Sequence, residues 1–334
     1  MNTNPAFESA LSLGGVSKRY GATRALDGID LEVPRGSIFG LVGPNGAGKT
    51  TTFAITCGFL RADLGSVRLL GEGPFDPKRH RGRITALPQD AALGRDLTLA
   101  DLLTYLGQLQ GLRRRDIKSE VERILNLVDL TDRADHRTRT LSHGMLRRLG
   151  IGQAFLGQPE LVLLDEPTNG LDPRQASNIR DFIAAQRGTR TIVISSHNLH
   201  ELESMCDHVA LLDRGKVVVA GPISQVTGRN EEVSIILAAG PAPLAEVRTA
   251  LPGDTIEWEE GQRILKIRFA HSADRQPEDV IGVALQTLLH NGARISTVSR
   301  GQSLERTYLE LPGAAARQLP PIPPEAARSA GKNG

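Results

Sequence analysis

The stretch "GLVGPNGAGKTT" sets Gly43, Gly48, Lys49 and Thr50 in the spacing G-x-x-x-x-G-K-T, after an apolar run and ahead of a helical pattern. Glycines at these places let a backbone curl until consecutive N–H groups, with the first turn of a helix behind them, face one anion. The loop Gly43, Pro44, Asn45, Gly46, Ala47, Gly48, Lys49, Thr50 and Thr51 therefore reads as a cradle for a phosphate chain. Lys49 reaches the terminal phosphates in such a cradle, and the Thr50 hydroxyl is a ligand for Mg²⁺. A second run, "LVLLDEP", ends in Asp165 and Glu166. An aspartate leaving a buried strand can hold Mg²⁺ through water, and the next carboxylate can polarise a water against a γ-phosphate.

Such groups need strand ends to hold them. "SIFGLVG", "RITALP", "ELVLLDEP", "TIVISSH" and "HVALLDRGKVVVAG" are short apolar runs between helical patterns. Several lack polar alternation, as strands covered on both faces do, and this predicts an α/β core with a mostly parallel sheet. Between residues 90 and 160 the pattern turns helical. Leu99, Leu102, Leu103, Leu106 and Leu109 share one predicted face, with Thr98 and Asp101 spaced like a capping box. Ile117, Val121, Ile124, Leu125 and Val128 repeat the design. After residue 230 the pattern restarts as strand 232–239, helix 243–251, strands 254–259 and 263–269, helix 277–291 and strand 294–299. That order predicts a small split β-α-β unit. The Pro-, Ala- and Gly-rich end reads as disordered.

Composition narrows the class. With 334 residues, 40% apolar and 23% charged, the chain can bury substantial cores. A formal net charge of +2 gives no electrostatic argument for nucleic acid or a membrane surface. Cys57 and Cys206 lie far apart and suggest neither a disulfide framework nor a zinc site, in keeping with a reducing cytoplasm. The first residues lack the basic start and apolar core of a signal peptide, and no run approaches the roughly 20 apolar residues that span a bilayer. A membrane role is therefore expected to come through a partner.

Taken in order along residues 11 to about 225, these motifs resemble the nucleotide-binding subunits of ATP-binding-cassette (ABC) transporters. The resemblance makes the cradle and "LVLLDEP" the family's Walker A and Walker B motifs. It implies that Tyr20 of "SKRYG" stacks on adenine. It also implies that Gln89 of "ALPQD" senses Mg²⁺ and the γ-phosphate, and that His197 of "ISSHNLHE" contacts that phosphate. "LSHGM" stands at the signature position, and "NGLDP" carries Asp172 of the loop that crosses to the partner. Two cassettes of this family pair head to tail, each ATP lying between the cradle of one and the signature helix of the other. Ser142 and Gly144 keep the phosphate-facing part of the usual LSGGQ, whereas His143 and Met145 depart from it. His143 then points into solvent or the dimer interface, or touches phosphate directly.

The implied fold is a P-loop NTPase ABC cassette at 11–228 with a helical subdomain at about 90–160. A small C-terminal α+β domain at 231–312 and a disordered tail at 313–334 follow. The implied activity is hydrolysis of ATP, with Mg²⁺ on Thr50, Gln89 and Asp165 and with Glu166, His197 and Gln89 as catalytic groups. The implied partners are a second copy or a paralogue and a transmembrane permease, with no nucleic acid. The permease places the subunit in the cytoplasm, on the inner face of the cell membrane. Gln89 and the helices after it, around Leu99 and Tyr105, are the expected docking region. "SLERTYLEL", Ser303 to Leu311, resembles the tail of ATPases driving type-2 exporters of the multidrug and antibiotic-resistance class. The extension then regulates, stabilises a dimer or merely caps the cassette. A non-transport cassette ATPase on ribosomes or DNA is the alternative. Such proteins carry paired cassettes, coiled-coil insertions or zinc cysteines, and the sequence has none. A non-hydrolysing module would lack the carboxylate or the histidine, and Glu166 and His197 are both present.

Overall fold

Ile29, Leu31 and Val33 of "IDLEV" alternate with charged residues and favour an extended strand, and Leu11 and Leu13 of "SALSLGG" do so only over a short stretch, since Ala10 is buried beside Leu11. In the computed structural model, which describes residues 9–89, 93–94, 96–227, 232–270, 275–301 and 304, β1 (Ser9–Tyr20) pairs antiparallel with β2 (Thr23–Pro34). β4 (Leu64–Leu69) joins β1 on its other side to complete a three-stranded sheet. This sheet is not among the sequence-based expectations. Its strands alternate less cleanly, because β1 carries a bulge around Gly14 and Gly15 that breaks the period of two.

The central sheet has six strands in the order β5-β6-β7-β3-β8-β9. They are β3 (Ile38–Val42), β5 (Ile84–Leu87), β6 (Leu161–Asp165), β7 (Thr191–Ser196), β8 (His208–Asp213) and β9 (Lys216–Pro222). All pair in parallel except β9, which returns antiparallel against β8. Successive residues of one strand enter opposite cores. Leu161 and Leu163 pack with Phe53, Leu13 and Val33 on the side of the three-stranded sheet and α1 (Lys49–Thr56). Val162 and Leu164 pack with Leu149, Phe155 and Ile183 on the other side. Burial on both faces is why these runs lack polar alternation.

The second core is built by α2 (Leu99–Gln110), α3 (Arg114–Leu127), α4 (His143–Ala154), α5 (Pro173–Ala184) and α6 (Leu199–Met205). Thr98 caps α2 by accepting from the Asp101 N–H at 3.1 Å, and its hydroxyl donates to the Asp101 carboxylate at 2.7 Å. Leu99, Leu102 and Leu103 are buried as expected, but Leu109 in the last turn is 52% exposed. Periodicity sets which stripe of a helix faces inward, not how far along the axis its cover extends.

A short α7 (Ile223–Val226) follows β9. Beyond it come β10 (Glu232–Ala239), α8 (Leu244–Ala250), β11 (Thr255–Glu259), β12 (Ile264–Arg268), α9 (Pro277–His290) and β13 (Arg294–Arg300). The sheet order is β11-β12-β10-β13, antiparallel throughout, and its apolar face packs against Val247, Val280, Ala284 and Leu288 of the two helices. After β13 the chain returns. Leu304 is fully buried in the same apolar cluster as the helices of the second core, and its N–H donates to the Glu203 carboxylate at 3.3 Å. The rest of "SLERTYLEL" and the tail at 313–334 lie outside the described residues. Among the described residues no helix is long and apolar enough to cross a membrane.

Candidate active site

Parallel pairing aligns the strand ends. Leu87 of β5 stands beside Leu164 of β6, Asp165 beside Ser195 of β7, and Ser196 beside Val42 of β3. Gln89, Glu166, His197 and Gly43 each follow one of these ends, so all four emerge on the carboxyl edge of one sheet, where open α/β folds bind ligands.

The loop from Gly43 to Gly48 needs its glycines for two different reasons. Gly46 and Gly48 have φ of 82° and 109°, in the left-handed region. At Gly43 a Cβ would lie 2.4 Å from the Leu212 carbonyl oxygen, so the neighbouring strand leaves no room for a side chain. Gly48 caps α1 without a side-chain hydrogen bond, which leaves the first-turn N–H groups free of a competing cap. Lys49 is buried, and its Nζ donates to the carbonyls of Gly43 at 2.6 Å and Pro44 at 3.3 Å. Burial holds its ammonium below the usual lysine range, an effect that Glu166 and Asp165 oppose.

Asp165 is 2% exposed and accepts a hydrogen bond from the Ser195 hydroxyl, with the Thr50 hydroxyl near enough to favour its charged form. Burial pushes its carboxyl above the ordinary aspartate value; the two hydroxyls and Lys49 oppose the shift, and Glu166 adds to it. Glu166 has φ of 49° although it is not glycine and precedes Pro167, a conformation that costs about 1–3 kcal/mol. Its N–H donates to the Ser195 carbonyl and hydroxyl, both at 3.1 Å. The carboxylate is thereby turned to His197, whose Nδ1 lies 3.1 Å from both oxygens, and to Asn169, whose Nδ2 donates at 3.3 Å.

Lys49, Thr50, Asp165, Glu166 and His197 thus form one connected cluster, and the exposed Gln89 sits at its rim through a loop shared with Pro88. The other expected residues stand elsewhere. Tyr20 ends β1 and is 52% exposed. Ser142 caps α4 by accepting from the Met145 N–H at 3.3 Å, and Asp172 caps α5 by accepting from the Gln175 N–H at 2.9 Å. Gly144 packs toward that second cap, where a Cβ would lie 3.5 Å from the Gln175 Oε1. His143 is exposed on one side and rests on Gly170 on the other; a Cβ at Gly170 would lie 3.1 Å from its Cδ2. Met145 packs half-buried against the second core, an apolar role that its place in the motif did not suggest.

Three neighbours of the cluster were not read from the sequence: Ser195, Asn169 and Arg147. Two of them left a trace. Ser195 is a polar residue inside the apolar run "TIVIS", and Arg147 lies one helical turn before the buried Ile151 on α4. A polar residue on a buried stripe must have partners there.

A family model described as "ABC transporter" matches residues 26–169. The daunorubicin/doxorubicin resistance ATP-binding protein DrrA of Streptomyces peucetius is 36% identical over 326 residues, covering 93% of this chain and 89% of that protein. Nod factor export ATP-binding protein I of Ralstonia nicotianae is 32% identical over 92% of this chain and 95% of its own length. A solved structure described as "Structure of ATP binding subunit of ABC transporter" superposes with a TM-score of 0.62 at 28% identity, covering 66% of this chain and 93% of that one.

Proposed function

Since this chain belongs to the ABC transporter family, as one of its ATP-binding, ATP-hydrolysing subunits, we propose that the cluster around Lys49 and Glu166 is its hydrolytic site and that it drives a separate membrane permease. The contact of Glu166 with His197, at 3.1 Å beside the buried Asp165, is the observation that carries this reading. It aims the carboxylate at the strand edge where the phosphate loop opens.

The loop N–H groups and Lys49 bind the phosphates of ATP, and Tyr20 offers its exposed ring to the base. Thr50, Asp165 and Gln89 are hard oxygen donors, and one carboxylate beside a hydroxyl suits Mg²⁺, which takes its remaining ligands from phosphate and water. When bound, Mg²⁺ supplies charge neutralisation at the phosphate oxygens. Glu166 takes the proton of the attacking water, and His197 holds that carboxylate in place and faces the γ-phosphate. Ser142, Gly144 and Asp172 belong to the half of the site that a second copy, or a paralogue, completes. The α4 N-terminus then faces the partner's ATP.

The permease is expected to dock near Gln89 and α2. Leu99 is buried and serves the core, so the docking surface falls to exposed residues such as Tyr105 and Leu109. Residues 90–92 and 95 of the expected docking stretch lie outside the described residues. Resistance and export in the names of the two relatives favour an exporter over a ribosome- or DNA-directed ATPase. Such a subunit works on the cytoplasmic face of the membrane.

Glu166→Gln tests the site. ATP binding is expected to stay, turnover to fall by about 10²- to 10⁴-fold, and an ATP-dependent dimer to accumulate in light scattering. Normal turnover in that variant sinks the assignment.

A further inference from the structure

Arg147 is buried, one turn inside α4, and its guanidinium spends its donors on backbone carbonyls of two loops. Nη2 donates to Asp165 and Glu166, both at 2.6 Å, and Nε to Pro167 at 3.2 Å. Nη1 donates to Gln89 at 3.1 Å and to Pro88 at 3.4 Å. Five carbonyls therefore converge on one planar fork, three from the loop after β6 and two from the loop after β5. These are the loops that carry Glu166 and Gln89. The same helix starts at Ser142, the residue facing the partner's nucleotide in the reading above.

We propose that Arg147 is a positioning residue for hydrolysis, a clamp that sets the distance between the loop of Glu166 and the loop of Gln89 and ties both to the signature helix. The inference rests on the assignment of Glu166 and Gln89 to the hydrolytic site. Its physics is that of a rigid fork. Guanidinium N–H groups are fixed in one plane, so carbonyls bound to it cannot slide past one another. Glu166 sits in a strained left-handed conformation that only its surroundings hold, and Arg147 bonds its own carbonyl, that of Asp165 before it and that of Pro167 after it. A shift of α4 as a partner engages Ser142 is thereby delivered to both loops at once.

The test uses the full chain with Arg147→Met and Arg147→Lys, and Glu166→Gln as control. Steady-state turnover is measured against ATP and against free Mg²⁺, with melting temperature alongside. The methionine variant is expected to keep KM for ATP within about 3-fold. Its kcat should fall about 100-fold, the size of loss that a misplacement near 1 Å produces. The free Mg²⁺ needed for half-maximal turnover should rise as Gln89 drifts. Lysine keeps the charge and part of the donor set and should recover about 10-fold of the lost kcat. A change confined to KM for ATP, or a lower melting temperature with kcat and Mg²⁺ dependence intact, overturns the clamp. Should Arg147→Met fail to fold, Arg147→Lys decides alone: parental kcat and Mg²⁺ dependence in it overturn the clamp as well. Normal turnover in Glu166→Gln instead removes the site assignment beneath it.

Discussion

At Asp165 the requirements of folding and of the proposed Mg²⁺ site oppose one another. A carboxylate 2% exposed at a strand end is a poor choice for stability, and burial raises its pKa above the ordinary 3.8. With the folded value above the unfolded one, folding takes up a proton. The cost of the charge is absent below the unfolded pKa and fully present once pH has passed the folded one. Asp165→Asn should therefore be more stable than the parent at pH 7 without nucleotide, by about 1–2 kcal/mol, while losing turnover. The advantage should shrink as pH falls toward 4. Melting curves at pH 7, 5 and 4 check this; a gain that persists or widens in acid contradicts it. Lys49 and Glu166 were legible in the sequence because each stands in a motif of its own, the glycine-rich loop and the apolar run ending in two carboxylates. Ser195, which hydrogen-bonds Asp165 and receives the Glu166 N–H, leaves only a polar interruption of an apolar run, since a serine in a strand has no motif that gives it a role.

Helix α4 shows what is legible in an element and what is not. Its start is written in Ser142, an N-cap type ahead of an apolar pattern, and the structure places the helix there. Its packing depends on glycines whose purpose no periodicity reveals. A Cβ at Gly152 would stand 2.8 Å from Ile124 Cγ2 and 3.0 Å from Val128 Cγ1, both β-branched methyls held close to the backbone of α3 and the turn after it. Gly152→Ala gains up to about 1 kcal/mol in helix propensity but overpacks this contact by about 1–3 kcal/mol. A net loss near 1 kcal/mol is expected in urea titration, whereas an increase in stability contradicts the close approach. The three-stranded sheet is the opposite case. Its strands went unread because the bulge in β1 shifts the alternation midway, so neither half is long enough to stand out.

For the molecule as a whole, Leu304 is the informative residue. It follows the β11-β12-β10-β13 sheet in sequence yet is fully buried in the second core. If it helps hold the chain, Leu304→Ala should lower stability by about 2–5 kcal/mol in thermal melting; a loss below about 0.5 kcal/mol is the mark of a surface residue. The amino-acid sequence by itself determined the phosphate loop, the paired carboxylates, the strand–helix alternation and the family, because each depends on spacing along the chain. Tertiary structure alone decided which strand ends lie side by side, and therefore that Glu166 meets His197 and that Arg147 bonds two loops 76 to 78 residues apart, from Gln89 to Asp165 through Pro167. The reason is physical. Parallel neighbours in a sheet are joined by long crossovers, so their register is set by packing on both faces and leaves no local mark in the sequence.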